Sequence, residues 1–217
     1  MDWMKVLVAG ANGKIGKMLV DLLQKSDRHI PRAMVRKEEQ AQFFRQKGVD
    51  AVISDLEGTV DELAEAANGC DCIVFTAGSG GHTGADKTLL VDLDGAVKTM
   101  EAAEKAGISR FVIVSALQAH HRENWSEAIK PYYVAKHYAD RVLQSTKLNY
   151  TIIRPGGLLN EPGTGKVEAS ENLKRGTIPR EDVARTILAS LDEPKTYRKA
   201  FDLISGDTPI EEELKRL

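Results

Sequence analysis

Cysteine is scarce in this chain: of 217 residues only Cys70 and Cys72 carry a thiol. They stand too close along one expected strand to bridge easily, so a disulfide framework is excluded and a reduced, cytoplasmic protein with semi-buried thiols is expected. No metal site is expected, because neither a Cys-x-x-Cys partner nor a spaced histidine pair accompanies them. An excess of either charge is also missing. Thirty Lys and Arg against 32 Asp and Glu leave a net charge of −2, which gives no reason to expect nucleic acid or an anionic membrane as partner. No apolar run approaches the roughly 20 residues a membrane-spanning helix needs. The N-terminus shows no basic segment followed by an apolar stretch, so no signal peptide is expected. Repeats, low-complexity tracts and linkers are likewise missing. What remains is a 42% hydrophobic chain able to bury one sizeable core, a single domain by size.

Short apolar, β-branched runs recur along it, with helical patterns between them. Strands are expected at 5–9, 32–35, 51–54, 72–76, 111–115, 150–154 and 201–204. Helices are expected at 14–24, 38–46, 60–67, 88–106, 131–144 and 180–191. Near-continuous apolar strands alternating with helices indicate a parallel sheet covered on both faces. Right-handed crossovers leave the doubly wound, Rossmann-like α/β topology as the best fit. The long irregular segments 78–86, 117–130 and 156–176 all follow strand C-termini, the edge where such sheets bind ligands. From about Leu158 onward a small C-terminal cap is expected.

The first strand runs directly into Gly10-Ala11-Asn12-Gly13-Lys14-Ile15-Gly16. In a Gly-x-x-Gly-x-x-Gly loop between strand and helix, the first glycine allows the tight turn. The second admits phosphates close to the backbone, and the third lets the helix lie on the sheet. The helix N-terminus then presents free N–H groups to a pyrophosphate. The second strand ends in Val35-Arg36-Lys37, where an NAD site usually places an acid for the ribose 2′-hydroxyl. Basic residues suit a 2′-phosphate instead, so NADP is the expected cofactor, with Lys14 as a further positive charge. The competing reading of Arg36 and Lys37 is a solvated charge run opening a helix, since Glu38 and Glu39 follow. Asp55-Leu56 after the third strand is placed to meet the adenine amino group, and Ala77-Gly78 after the fourth to pass beneath the adenine ribose. Ordinary strand-to-loop turns are the alternative for both.

These features sit with Asp92-Leu-Asp-Gly95, Phe111-Val-Ile-Val-Ser115, Tyr132-x-x-x-Lys136 and Arg154-Pro155-Gly156-Gly157. From about Lys5 to Ile204 the chain thus resembles the short-chain dehydrogenase/reductase superfamily. It is most similar to the atypical branch of NAD(P)-dependent epimerase/dehydratase-like and NAD(P)H-binding proteins. The resemblance implies that Tyr132 exchanges a proton with substrate while Lys136 holds the nicotinamide ribose and lowers the tyrosine pKa. Four residues apart on a helix, the two share a face, whereas Tyr133 pairs with His137. Tyr132 as a plain packing residue is the alternative.

Two positions depart from the superfamily. Its Ser-Ser-like pair after the fifth strand reads Ser115-Ala116 here, leaving Ser115 as the substrate-oxygen ligand only if one residue early. The helix asparagine is replaced by Asp92, a relay or a structural acceptor. Pro155, Gly156 and Gly157 are expected against the nicotinamide carboxamide. Glu161, Lys166 and Arg175 are offered as substrate contacts on a loop that could equally be a bare mobile lid. His120, His121 and Trp125 are expected in a solvated loop anchored by the tryptophan, with a His-based acid as the alternative. The leading expectation is an NADP-dependent reductase or epimerase-like enzyme acting on a small carbonyl or hydroxyl compound. The alternative is a regulatory or redox-sensing protein that holds NADP(H) without turnover. Oligomeric state is left open between a monomer and a homo-oligomer.

Overall fold

The computed structural model describes residues 3–81 and 83–217. Seven strands form a parallel sheet in the order β3-β2-β1-β4-β5-β6-β10. They are β1 (Met4–Ala9), β2 (His29–Val35), β3 (Asp50–Ile53), β4 (Cys72–Phe75), β5 (Arg110–Val114), β6 (Asn149–Pro155) and β10 (Lys199–Ser205). The strand order reverses between β1 and β4, the switch point at which doubly wound sheets bind ligands. Helices α1 (Lys14–Gln24), α2 (Glu38–Gln46), α3 (Val60–Ala67), α4 (Ala85–Lys87), α5 (Ala96–Lys105), α6 (Lys130–Ser145), α7 (Arg180–Asp192) and α8 (Ile210–Leu214) complete the framework. None of the helices in the described residues is long and apolar enough to cross a membrane.

The period-two alternation of each strand divides the core between two faces. Val6 and Val8 of β1, with Cys72 and Val74 of β4, pack with Leu19, Phe44 and Ile187 from α1, α2 and α7. The intervening Leu7, Ala9, Ile73 and Phe75 pack with Leu63, Met100 and Leu143 from α3, α5 and α6. Each fully buried Leu, Ile or Phe contributes roughly 1.5–3 kcal/mol, so the strands are held on both faces and their C-terminal ends are fixed in space. The Rossmann-like architecture read from the sequence is the one observed.

Two stretches differ from expectation. The helix expected over 88–106 instead begins with α4, widens into a π-helical segment over Thr88–Gly95 and tightens into α5. Such widened turns are frequent at functional sites, and this one carries Asp92. The segment 156–176, expected to be irregular, contains β7 (Gly157–Leu159) and β8 (Lys166–Ser170). β7 forms a separate two-stranded parallel ribbon with β9 (Thr177–Pro179). β8 extends the main sheet antiparallel to β10, and β11 (Thr208–Pro209) pairs with β8 beyond it. Only Val167 is buried among Lys166–Ser170, so backbone pairing rather than a hydrophobic stripe defines that strand. Thus, of the chain beyond Leu158, β8, β10 and β11 belong to the sheet, and the β7–β9 ribbon stands apart from it.

Candidate functional site

Two cavities open at the C-terminal edge of the sheet and share Thr76, Ala77, Gly78, Ser79, Gly80 and Thr83 as a common wall. They are therefore two lobes of one cleft. The first, of about 430 Å³, is lined by Gly10, Asn12, Gly13, Arg36, Asp55 and Leu56 together with that wall. The second, of about 550 Å³, is lined by Ile15, Asp92, Val114, Tyr132, Lys136 and Leu158.

The glycine loop is built as a cradle. Gly10 has φ +89°, and a Cβ there would lie 2.6 Å from the backbone N and Cα of Ala77. A side chain at Gly16 would run into the Gly10 carbonyl and approach Ala11 Cα at 2.8 Å. The loop closes on itself through the Gly13 amide, which donates to Gly10 O at 3.0 Å, and Thr76 N donates to Ala9 O at 2.9 Å. With no side chain at Gly10, the loop packs directly on Ala77, and Thr76 Oγ1 donates to Ala9 O at 3.2 Å to hold the β1 and β4 ends together. Gly10 and Gly13 then present bare backbone to the first lobe, where a diphosphate would lie. The first turn of α1, whose N–H groups have no partner within the helix, supplies donors. The residues present thus fit a dinucleotide.

Arg36 lines the first lobe from the end of β2. Its backbone amide donates to Gln40 Oε1 at 3.2 Å. Among the described residues its guanidinium has no hydrogen-bond or ion-pair partner, whereas Lys37 lies 3.7 Å from Glu39 and does not reach the lining. Asp55 keeps one oxygen in a local turn, accepting from Glu57 N at 3.0 Å. Lys14 is directed elsewhere: its Nζ donates to Asn160 Oδ1 at 3.1 Å, an oxygen shared with Arg180 at 2.9 Å.

In the second lobe Tyr132 and Lys136 do share a face of α6, with Nζ 5.6 Å from the Tyr132 ring centroid. Lys136 is buried, donates to Val114 O at 3.1 Å and lies 3.4 Å from Asp92 Oδ1. The other Asp92 oxygen accepts from Ser79 N at 3.0 Å, so the carboxylate ties the π-helical segment to the shared wall. Burial works against the Lys136 charge, but Tyr132, Asp92 and Asp140 outweigh it and hold the ammonium pKa above its ordinary value. Burial also pushes the Tyr132 hydroxyl up, and the opposing pull of Lys136 does not compensate. The expected lowering of the tyrosine pKa is therefore not seen in the protein alone, because desolvation of the phenolate outweighs one ammonium.

The helix that carries this pair is fixed from behind. Arg154 Nε donates to Asp140 Oδ2 at 2.8 Å in a buried pair between β6 and α6. Tyr133 stacks on Trp125 at 6.0 Å. His137 Nδ1 lies 2.9 Å from Ala119 O, and Trp125 Nε1 donates to the same carbonyl at 3.1 Å. The aromatic residues next to the candidate catalytic pair thus anchor the loop 117–130, as expected of Trp125.

Several sequence candidates lie off the lining. Ser115 is buried, its Oγ has no partner, and it does not border the second lobe. Pro155, Gly156 and Gly157 border neither lobe. Gly156 instead packs against the Gly176 backbone, and Gly157 N donates to Gly176 O at 2.9 Å. Lys166 lies on β8, and Arg175 donates to Asn124 O. His120 and His121 both contact Asn172 Oδ1, at 2.9 and 2.5 Å, bridging two loops. Ser79, Thr83, Lys87, Thr88 and Ile129 line the cleft without having been singled out. The Gly78–Gly81 run after a strand was the available signal for Ser79; no local pattern marks Thr88 or Ile129.

A doubly wound fold, a glycine cradle at its switch point and a two-lobed cleft define a dinucleotide-binding protein. Residues 10–194 match the NAD(P)H-binding family, and the chain belongs to it. Over 214 residues it is 64% identical to the uncharacterized sugar epimerase YhfK of Bacillus subtilis, covering 99% of this chain and 100% of that one. A structure assigned as an NAD-dependent epimerase/dehydratase from Bacillus halodurans superposes with a TM-score of 0.91 at 44% identity, covering 99% and 100% of the two chains. ChuY, an anaerobilin reductase from Escherichia coli O157:H7, superposes at 0.82 with 28% identity, covering 94% and 98%.

Proposed function

We propose that the protein is an NADP-dependent reductase or epimerase-like oxidoreductase acting on a small carbonyl or hydroxyl compound. The observation that carries this reading is the continuity of the two lobes. The glycine cradle and Arg36 open on one side of the Thr76–Gly80 wall, and Tyr132 with Lys136 opens on the other. A bound nicotinamide dinucleotide supplies a hydride donor or acceptor. Arg36, unpartnered at the first lobe, meets the 2′-phosphate with a charge-assisted contact. Lys136 holds the ribose hydroxyls while Asp92 keeps its ammonium in place. Tyr132 gives its proton to the substrate oxygen during reduction and takes it back during oxidation. Lys136 stabilises the phenolate left behind.

The second reading, a protein that binds NADP(H) without turnover, is favoured by Ser115 standing off the second lobe and by the raised Tyr132 pKa. Titration calorimetry and NADPH absorbance decay over a panel of aldehydes, ketones and quinones separate the two. NADPH is expected to bind about tenfold to a hundredfold tighter than NADH, the worth of one charged contact of roughly 1.5–3 kcal/mol. Equal affinities, or tighter NADH, refute the cofactor assignment. Tyr132→Phe should leave NADPH affinity nearly unchanged and lower turnover by about a hundredfold or more. Unequal binding of NADPH and NADP with no consumption across the panel establishes the non-catalytic reading instead.

A further inference from the structure

The second lobe differs from the first in charge. Arg36, Asp55 and Lys87 border the first. Among the described residues, the charged ones bordering the second are Lys136 and Asp92, buried and 3.4 Å apart, so they largely cancel each other. No arginine is among the described residues that line it. A substrate phosphate or carboxylate would enter without a cation to receive it, since Lys136 is already engaged by Asp92 and Val114 O. Losing water with no compensating charge is costly for any anion.

The mouth of this lobe is apolar. Ile129, just before α6, and Leu158, on β7, border it from separate elements and are 47% and 36% exposed. Single exposed aliphatic residues are ordinary, but two large ones on one opening, joined there by exposed Pro131 and continued inward by buried Ile15 and Val114, form a surface that gains by being covered. Uncharged polar side chains on the described lining are the hydroxyls of Thr76, Ser79, Thr83, Thr88 and Tyr132. Tyr132 stands beside Lys136, and Thr88 lies 3.4 Å from Ser79 Oγ across the shared wall. A sugar would bury several hydroxyl groups against this lining, and each one left unpaired costs about tenfold or more in affinity.

We propose that the second lobe selects an uncharged carbonyl compound with an apolar body, gripped by Ile129 and Leu158, and excludes sugar nucleotides and anionic carbonyl substrates. The assignment rests on the oxidoreductase reading above and deepens it. One polar end, the carbonyl oxygen, is placed at the Tyr132 hydroxyl, and the rest of the molecule lies along aliphatic walls. Ile129 and Leu158 then determine specificity, while the cofactor is held by the glycine cradle and Arg36 of the other lobe together with Lys136.

The test uses the full chain saturated with NADP and measures binding by calorimetry, with NADPH oxidation followed separately. The probes are 2-naphthaldehyde, its ring-carboxylated analogue and UDP-glucose. The expected order is 2-naphthaldehyde tightest, by at least tenfold over the carboxylated analogue, with no measurable UDP-glucose binding. Ile129→Ala and Leu158→Ala should each weaken 2-naphthaldehyde about fivefold to tenfold, the loss of a partly covered aliphatic side chain, with NADPH affinity unchanged within about twofold. Ile129→Lys should narrow or reverse the preference over the carboxylated analogue. Equal or tighter binding of the carboxylated analogue or of UDP-glucose overturns the proposal, even if NADPH is consumed. Failure of all three probes to bind overturns it as well. Binding in the expected order without NADPH oxidation on the wider panel supports the selectivity while refuting the reductase reading.

Discussion

Removing one member of the Lys136–Asp92 pair should separate what the pair does for folding from what Lys136 does for the cofactor. The two side chains are 3% and 1% exposed and 3.4 Å apart. Lys136→Met keeps most of the aliphatic stem but leaves the Asp92 carboxylate buried with a single remaining partner, the Ser79 amide at 3.0 Å. It also removes the donor to Val114 O. Breaking a buried ion pair from one side costs about 3–5 kcal/mol, because the surviving charge loses its counter-ion and cannot regain water. Asp92→Leu removes the nearest carboxylate from Lys136 but leaves Val114 O and the Asp140 charge to support the ammonium, so it should cost less than Lys136→Met. The double variant strands neither charge, so it should be more stable than either single variant, with a coupling of about 2 kcal/mol or more. Urea denaturation followed by circular dichroism reads all four proteins. NADPH affinity, measured alongside, should fall in Lys136→Met and should not recover in the double variant, because the ribose contact belongs to the lysine itself. Additive stability losses, or a Lys136→Met cost below about 1 kcal/mol, would refute the claim that Lys136 and Asp92 stabilise each other as a buried pair. Recovery of affinity in the double variant would refute the cofactor role.

Gly10→Ala should destabilise by about 2–5 kcal/mol, combining a left-handed backbone cost of 1–2 with a clash against Ala77 of 1–3, and should abolish NADPH binding. Gly69→Ala is its control: φ is +74° with nothing within 4 Å of a Cβ, so only the backbone cost applies, and equal losses in the two variants would show that the Ala77 contact is immaterial. Both thiols should resist Ellman's reagent until the protein unfolds, since burial pushes Cys72 up to about 12 and raises Cys70 as well; rapid native-state labelling contradicts this. Burial holds His29 and His137 below their ordinary 6.5, so the unfolded chain binds more protons than the folded one just below that pH. Their contribution to stability is complete above 6.5 and is lost as pH falls below it. Urea midpoints between pH 7.5 and 5 should decline more steeply in the parent protein than in a His29→Asn/His137→Asn double variant, and parallel slopes would refute the assignment.

The seven parallel strands and the six helices longer than a turn or two were legible because each strand is a short, near-continuous apolar run and each helix carries its own periodic signal. Alternation sends Leu7 and Val8 to opposite faces, and the glycine loop needs neighbours only within seven residues. β8 was not legible, since Lys166–Ser170 buries one side chain and owes its extended form to the backbone of β10, over 30 residues away. The π-helical stretch was hidden for a related reason: its residues suit an α-helix, and the widening that carries Asp92 to the Ser79 amide and to Lys136 is a tertiary effect.

The candidate site divides along the same line. Its first lobe is written in contiguous motifs, and Gly10, Gly13 and Arg36 lie on its lining as read. The second lobe is assembled by distance, joining Asp92, Val114, Leu158 and the Ile129–Tyr132 stretch from four separate parts of the chain. Local spacing locates the Tyr132–Lys136 face but says nothing about which apolar residues close around it. Nor does it show that Ser115, two residues along from Ile113 at the end of a strand, turns its hydroxyl into the protein rather than onto the cleft. Cofactor recognition depends on backbone shape at one loop and survives as a short pattern. Substrate recognition depends on which side chains several loops bring together, so its chemistry has to be read from the apolar mouth and the self-neutralised charge pair beneath it.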